Sequence, residues 1–156
     1  MASTPPSAGQ RANQSGNKLE ALVSTVLTQS GYVEVPRPTL LTAPEPKRFA
    51  RQWPIGPGIY GTPVKVDFAV IGIPSVPNGL LVEVKWQSVS GSVDEKLPYL
   101  ALNIEQRFPF PTMVVIDGNG WKHGAIDWLK GRVPHIDHLF AVYSMSEFIA
   151  WSNQFL

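Results

Sequence analysis

VKVDFAVIGIPSVPNGLLVEVKW, residues 64–86, decides the fold. From Val64 to Ile73 the residues Val64, Val66, Phe68 and Val70 alternate with Lys65, Asp67 and Ala69, the period-two pattern of a strand. PSVPNG, residues 74–79, is a turn, and Leu80 to Trp86 reads as a second strand. The stretch therefore predicts an antiparallel hairpin. Residues 67 and 83 mirror each other about residue 75, inside the turn, so Asp67 and Glu83 fall within cross-strand reach. Alternation puts Glu83, Lys85 and Gln87 on one face of the second strand, while Val82, Val84 and Trp86 point the other way, toward the core.

Upstream, Asn17 with Glu20 forms a capping-box pattern, and Leu19, Leu22, Val23, Val26 and Leu27 recur at helical spacing. A helix is expected over 18–30, with Gly31 just past its end. Residues 1–16, rich in Ser, Pro, Gly, Ala and Gln, are expected to be a disordered leader, and 17–156 a single domain. A short extended piece at Tyr32–Val35 follows. Residues 36–63 hold seven of the fifteen prolines, which predicts an irregular surface arm. Downstream of the hairpin come a polar loop (87–94), a helix over 93–107 with Pro98 near its first turn, and a buried strand, TMVVI (112–116). DGNG (117–120) is a turn, 121–131 a short helix, and Leu139–Val142 a strand. Ser144 with Glu147 makes a second capping box that opens a last helix to Trp151 or beyond. The order reads α, β, β, with room for an earlier third strand, then α, β, α, β, α. That is an α/β protein with a mixed central sheet flanked by helices, in which a crossover helix makes strands 80–86 and 112–116 parallel.

The chain has 156 residues, of which 44% are hydrophobic and 16% charged, enough apolar material for one packed domain. Thirteen Lys and Arg against twelve Asp and Glu leave a net charge of +1, which excludes a uniformly basic nucleic-acid coat. The absence of cysteine excludes a disulfide scaffold, a thiolate zinc site and a Cys nucleophile. No apolar run is long enough to span a bilayer and the first residues lack the apolar centre of a signal peptide. The expectation is a cytoplasmic protein (host-cell cytoplasm if phage-encoded) with no membrane partner. His123, His135 and His138 lack zinc-site spacing, and GPGIYG (56–61) is no P-loop, since no Gly-Lys-Ser/Thr follows.

Asp67 and the tripeptide Glu83-Val84-Lys85 carry the chemistry. Two carboxylates flanked by apolar strands favour a hard divalent cation such as Mg²⁺, with Mn²⁺ as a substitute. Such a cation polarises a phosphoryl oxygen and lowers the pKa of a bound water, and a neighbouring Lys85 can orient that water or offset developing charge. This arrangement resembles the PD-(D/E)XK nuclease superfamily, the restriction-endonuclease-like fold with an αβββαβ core. Val66-Asp67 stands where that family often has Pro-Asp, and Glu83-Val84-Lys85 matches its tripeptide in full. The resemblance implies that Asp67, Glu83 and the carbonyl of Val84 bind metal and that Lys85 positions or activates water. It also implies that Glu20, in the first helix, and Gln87, two residues past the lysine, support them.

The activity so implied is Mg²⁺-dependent DNA endonuclease, restriction-like or phage-type, acting as a homodimer or larger assembly if both strands are cut. A Holliday-junction or other structure-selective resolvase is the alternative within the class. A non-catalytic nucleic-acid-binding or assembly module on the same fold is the alternative outside it. For nucleic-acid contact, KRFARQW (47–53) offers Lys47, Arg48 and Arg51 beside aromatics, Tyr60 sits in the glycine loop, and Ser90, Ser92 and Lys96 follow the second strand. Trp121, Trp128, Trp151 and Phe155 are expected to supply late apolar surface for subunit pairing.

Overall fold

A computed structural model describes residues 4–88, 90–91 and 95–156. Six strands form one mixed sheet whose spatial order follows the chain: β1 Val33–Glu34, β2 Arg48–Pro57, β3 Pro63–Ile71, β4 Leu80–Trp86, β5 Thr112–Asp117 and β6 Leu139–Tyr143. Four helices, α1 Ala8–Gln29, α2 Lys96–Gln106, α3 His123–Gly131 and α4 Met145–Phe155, cover it.

The β3–β4 hairpin pairs Phe68 with Val82, Ala69 with Leu81 and Val70 with Leu80, the register set by a turn centred on residue 75. Parallel pairing of β4 with β5 and of β5 with β6 follows from the crossover helices α2 and α3. The two faces bury separate cores. On one, Leu19, Val23 and Leu27 of α1 and Phe148 and Trp151 of α4 pack on Phe68, Val82 and Met113. On the other, Leu97, Leu100 and Ile104 of α2 and Leu129 of α3 pack on Leu81, Val114 and Ile116. Trp121 and Trp151 are thus core residues, and of the expected late apolar surface only Trp128 and Phe155 remain exposed.

Three sequence expectations are corrected. The first helix starts at Ala8, not near residue 18, so much of the stretch expected as a disordered leader is helical. Its capping box is Ser7 with Gln10: the Gln10 N–H donates to Ser7 Oγ and the Ser7 N–H to Gln10 Oε1. Asn17 and Glu20 are interior helix positions, so the capping explanation of Glu20 is withdrawn.

The proline-rich arm is the second correction, because within it lies the ten-residue strand β2. β1 covers it only at Arg48 and Phe49, so Pro54 and Pro57 fall on an open edge, where a missing N–H need not break a ladder.

The third concerns β4, which has a core on both faces. The face of Glu83 and Gln87, expected opposite the core, is therefore buried as well. The second capping box stands as expected, with the Glu147 N–H donating to Ser144 Oγ and the Ser144 N–H to Glu147 Oε1. Among the described residues no helix is long and apolar enough to cross a membrane.

Candidate functional site

The β3–β4 ladder stops at Phe68–Val82, and the site is built where the two strands part. One step further along, Asp67 and Glu83 replace ladder bonds with side-chain bonds. The Val84 N–H donates to Asp67 Oδ2 at 2.7 Å, and the Asp67 N–H donates to Glu83 Oε2 at 3.3 Å. Each carboxylate therefore satisfies a backbone donor of the other strand, which fixes the pair side by side. The strand alternation expected through Val64–Val70 also breaks here: Val66 packs with the α2-side core and Phe68 with the α1-side core.

Lys85 Nζ donates to Glu83 Oε1 at 2.7 Å. Glu83 is only 7% exposed. Its burial pushes the carboxyl up to about 7, the Lys85 charge opposing and the Asp67 charge adding to the rise. Burial alone would lower the Lys85 ammonium, but the charge of Glu83 and their hydrogen bond, with Asp67 and Glu20 adding, carry it upward. Glu20 is raised by partial burial and by the charge of Asp67, against the pull of Arg51 and Lys85. Helix α1 thus places Glu20 in the same electrostatic field as Asp67 and Lys85.

Gln87, just past β4, is engaged by the 117–120 turn. Its Nε2 donates to the Gly120 carbonyl at 2.8 Å, and its own carbonyl accepts from the Gly120 N–H at 2.9 Å. These bonds tie the end of β4 to the 117–120 turn, and among the described residues no hydrogen bond joins Gln87 to Asp67 or Glu83. Gly118 closes this contact. It has a φ of +103°, and a Cβ there would stand 2.2 Å from the Gln87 carbonyl oxygen.

Sequence reasoning missed Gln52. It lies on β2, opposite Asp67 of β3, and its Nε2 donates to Asp67 Oδ1 at 3.3 Å. Gln52 has a φ of +52°, which no other described non-glycine residue shares in sign, and Arg37 holds its carbonyl at 3.0 Å. The left-handed conformation costs a non-glycine residue about 1 kcal/mol, and no composition or periodicity signal announces it.

The proposed nucleic-acid contacts divide. Arg48 donates to the Leu40 and Glu45 carbonyls at 2.6 and 2.7 Å, so its guanidinium is spent on holding the preceding loop. Arg51 bonds Glu34 at 2.5 Å and Ser24 at 2.6 Å and lies over the Phe68 ring, locking β2 to β1 and α1 beside Glu20. Lys47 lies over the Tyr32 ring at 5.3 Å. Tyr60, Ser90 and Lys96 are exposed, and Ser92 lies outside the described residues.

A cavity of about 330 Å³ opens on the α2 side of the site, lined by Glu83, Lys85, Lys96, Tyr99 and Asn103. Among the described residues no group of three or more His, Asp or Glu forms a ready-made metal cage. Two carboxylates side by side nevertheless suit a hard cation that keeps part of its water shell. The donors are oxygens, and the raised Glu83 carboxyl shows that the pocket penalises uncompensated negative charge.

A family model described as a PD-(D/E)XK nuclease superfamily domain matches residues 11–156. Searches of curated proteins and of solved structures found no match.

Proposed function

We propose that this chain, which belongs to the PD-(D/E)XK nuclease superfamily, is a divalent-metal-dependent DNA endonuclease with Asp67, Glu83 and Lys85 at its centre. One observation carries the reading: Asp67 and Glu83 converge at the fork of β3 and β4, each bonded to the other's strand, with Lys85 2.7 Å from Glu83.

Asp67, Glu83 and the Val84 carbonyl would hold the cation, Mg²⁺ or Mn²⁺. When bound, it supplies a Lewis acid for the phosphoryl oxygen and an acidified water. Gln52 and the Val84 N–H each donate to one oxygen of Asp67 and so fix its carboxylate at the fork. Lys85, held by Glu83, keeps its ammonium at the site, where it orients the attacking water or compensates charge on the phosphorane. Glu20 stands on the α1 side as a second-rank acid. The reaction is a hydrolysis: water oxygen bonds to phosphorus as the bond from phosphorus to the 3′ oxygen breaks, the attacking water gives up a proton to solvent, and the departing 3′ oxygen takes one up from solvent. The products are a 5′-phosphate and a 3′-hydroxyl. Each chain carries one such site and so cuts one strand, and a double-strand break requires two copies.

The test is plasmid nicking with Mg²⁺ or Mn²⁺ by wild type, Asp67→Ala and Lys85→Ala. Wild type nicks, and both variants lose activity while keeping their circular dichroism spectrum. Equal nicking by all three, or none by wild type with either metal, overturns the assignment.

A further inference from the structure

The glycine loop between β2 and β3 presents an exposed tyrosine on an unusually firm base. Its backbone closes on itself, with Gly58 N–H donating to the Thr62 carbonyl at 2.8 Å and Gly61 N–H to the Gly58 carbonyl at 2.9 Å. It is also anchored to α2. The Ile59 N–H donates to Asn103 Oδ1 at 2.9 Å, and Asn103 is buried. Gly58 packs so tightly that a Cβ would lie 2.7 Å from Val64 and 2.9 Å from Asn103.

On this base Tyr60 is 76% exposed. One face of its ring is backed by Tyr99, at a centroid distance of 5.0 Å and an interplanar angle of 21°. The exposure leaves the other face to solvent. Tyr99 in turn lines the same cavity as Glu83, Lys85 and Lys96. The aromatic pair therefore adjoins the cavity at the fork, where Lys96 on the same wall adds a cation for a phosphate.

An exposed aromatic ring has no folding reason to be held so rigidly, because its burial is small. A fixed ring with one open face is what a nucleobase needs to stack, and stacking tolerates any base. A base inside a continuous duplex already has both faces covered by its neighbours. Beside an internal phosphate, only an unpaired base offers a face.

We infer that Tyr60, backed by Tyr99, is a stacking platform for an unpaired nucleobase beside the scissile phosphate, and that the preferred substrate is DNA with a single-stranded nucleotide at that position. This rests on the nuclease reading for the position of the phosphate, but the platform can be tested by binding alone.

The experiment uses the full chain without divalent metal and three labelled probes: a single-stranded oligonucleotide, a duplex with a single-stranded overhang, and a blunt duplex. The variants are Tyr60→Ala and Tyr60→Trp. Tyr60→Ala weakens binding of the first two probes about ten-fold and leaves the blunt duplex within about two-fold, while Tyr60→Trp restores the loss. Placing 2-aminopurine in the single strand adds a signature of contact: its emission is quenched by wild type and by Tyr60→Trp, and not by Tyr60→Ala. Equal effects on all three probes, or no effect on any, overturn the platform. If Asp67-dependent nicking is present while Tyr60 variants bind every probe as wild type does, the platform fails and the nuclease reading stands. If Tyr60 governs single-strand binding but no nicking depends on Asp67, the nuclease reading fails and the platform stands.

Discussion

Metal affinity should be steeply pH-dependent, and Glu83 sets the size of the effect. Its carboxyl is pushed up to about 7 by burial, and a carboxylate must lose its proton to ligate. At pH 8 roughly nine-tenths of a group with that pKa is ionised, and at pH 5.5 roughly 3%. Apparent affinity for Mn²⁺ should therefore fall about thirty-fold between pH 8 and pH 5.5. An ordinary glutamate would change its ionisation by only about 10% over the same range. Isothermal titration calorimetry measures this directly. At pH 6, repeating the titration in buffers of different protonation enthalpy should show close to one proton released per metal bound, and at pH 8 almost none. Glu83→Gln should bind more weakly at pH 8 and lose most of the pH dependence. A thirty-fold change that persists in Glu83→Gln would place the titrating group elsewhere. A wild-type affinity flat from pH 5.5 to 8 would refute the reasoning, because Glu83 would then not be a ligand or would not be raised.

The same shift makes the metal-free fold pH-sensitive. The folded carboxyl holds its proton above the unfolded value of 4.5, so its stabilisation is complete below pH 4.5 and is lost as pH rises through about 7. The ceiling is about 3 kcal/mol, read by urea unfolding at pH 5 and pH 8 in the presence of a chelator; stability that rises over that interval would contradict it. Gln52→Gly relieves the left-handed strain and loses the Asp67 bond. It should unfold within about 1 kcal/mol of wild type yet bind Mn²⁺ several-fold more weakly, whereas Gln52→Val should also lose about 2 kcal/mol of stability. A fully stable Gln52→Val would mean that the backbone there is not held at positive φ. Gly118→Ala forces a Cβ against the Gln87 carbonyl and should cost about 2 kcal/mol or more in chemical denaturation. Replacing the buried pair with Glu83→Leu and Lys85→Met together should leave the metal-free protein as stable as wild type at pH 7 or more so, and inactive; a loss of several kcal/mol would show the pair to be a structural brace.

The hairpin and its consequences were legible because they depend on short-range pattern. The apolar strand pattern and the symmetric turn at residue 75 are enough to bring Asp67 to Glu83, although the alternation itself breaks between Val66 and Phe68. The crossover helices then make β4, β5 and β6 parallel. What could not be read is set by partners distant in sequence. Strand β2 looks like a loop because of Pro54 and Pro57, which an open sheet edge accommodates, and whether an edge is open is a property of the whole sheet. The start of α1 was misplaced because Ser7 and Gln10 cap it from within a stretch of small polar residues that carries no apolar stripe. Gln87 follows the lysine at the right spacing, yet the 117–120 turn captures its amide.

Glu20 is the instructive case, since helix geometry gives it no capping role and the site gives it an electrostatic one. On the surface of an isolated helix, a glutamate interacts chiefly with residues three or four positions away. Here the charges that move it are Asp67 from β3, Arg51 from β2 and Lys85 from β4. Three strands and one helix therefore direct ionisable groups at a single point, in a chain whose net charge is only +1. A fold seeking stability alone gains little from that, because desolvating Glu83 and Lys85 costs about as much as their attraction returns, and apolar residues of similar volume would pack there at least as well. Such a concentration of mutually opposed charges is stable when an ion or a phosphate enters to complete it, and that is the physical reason to look for chemistry at the fork of β3 and β4.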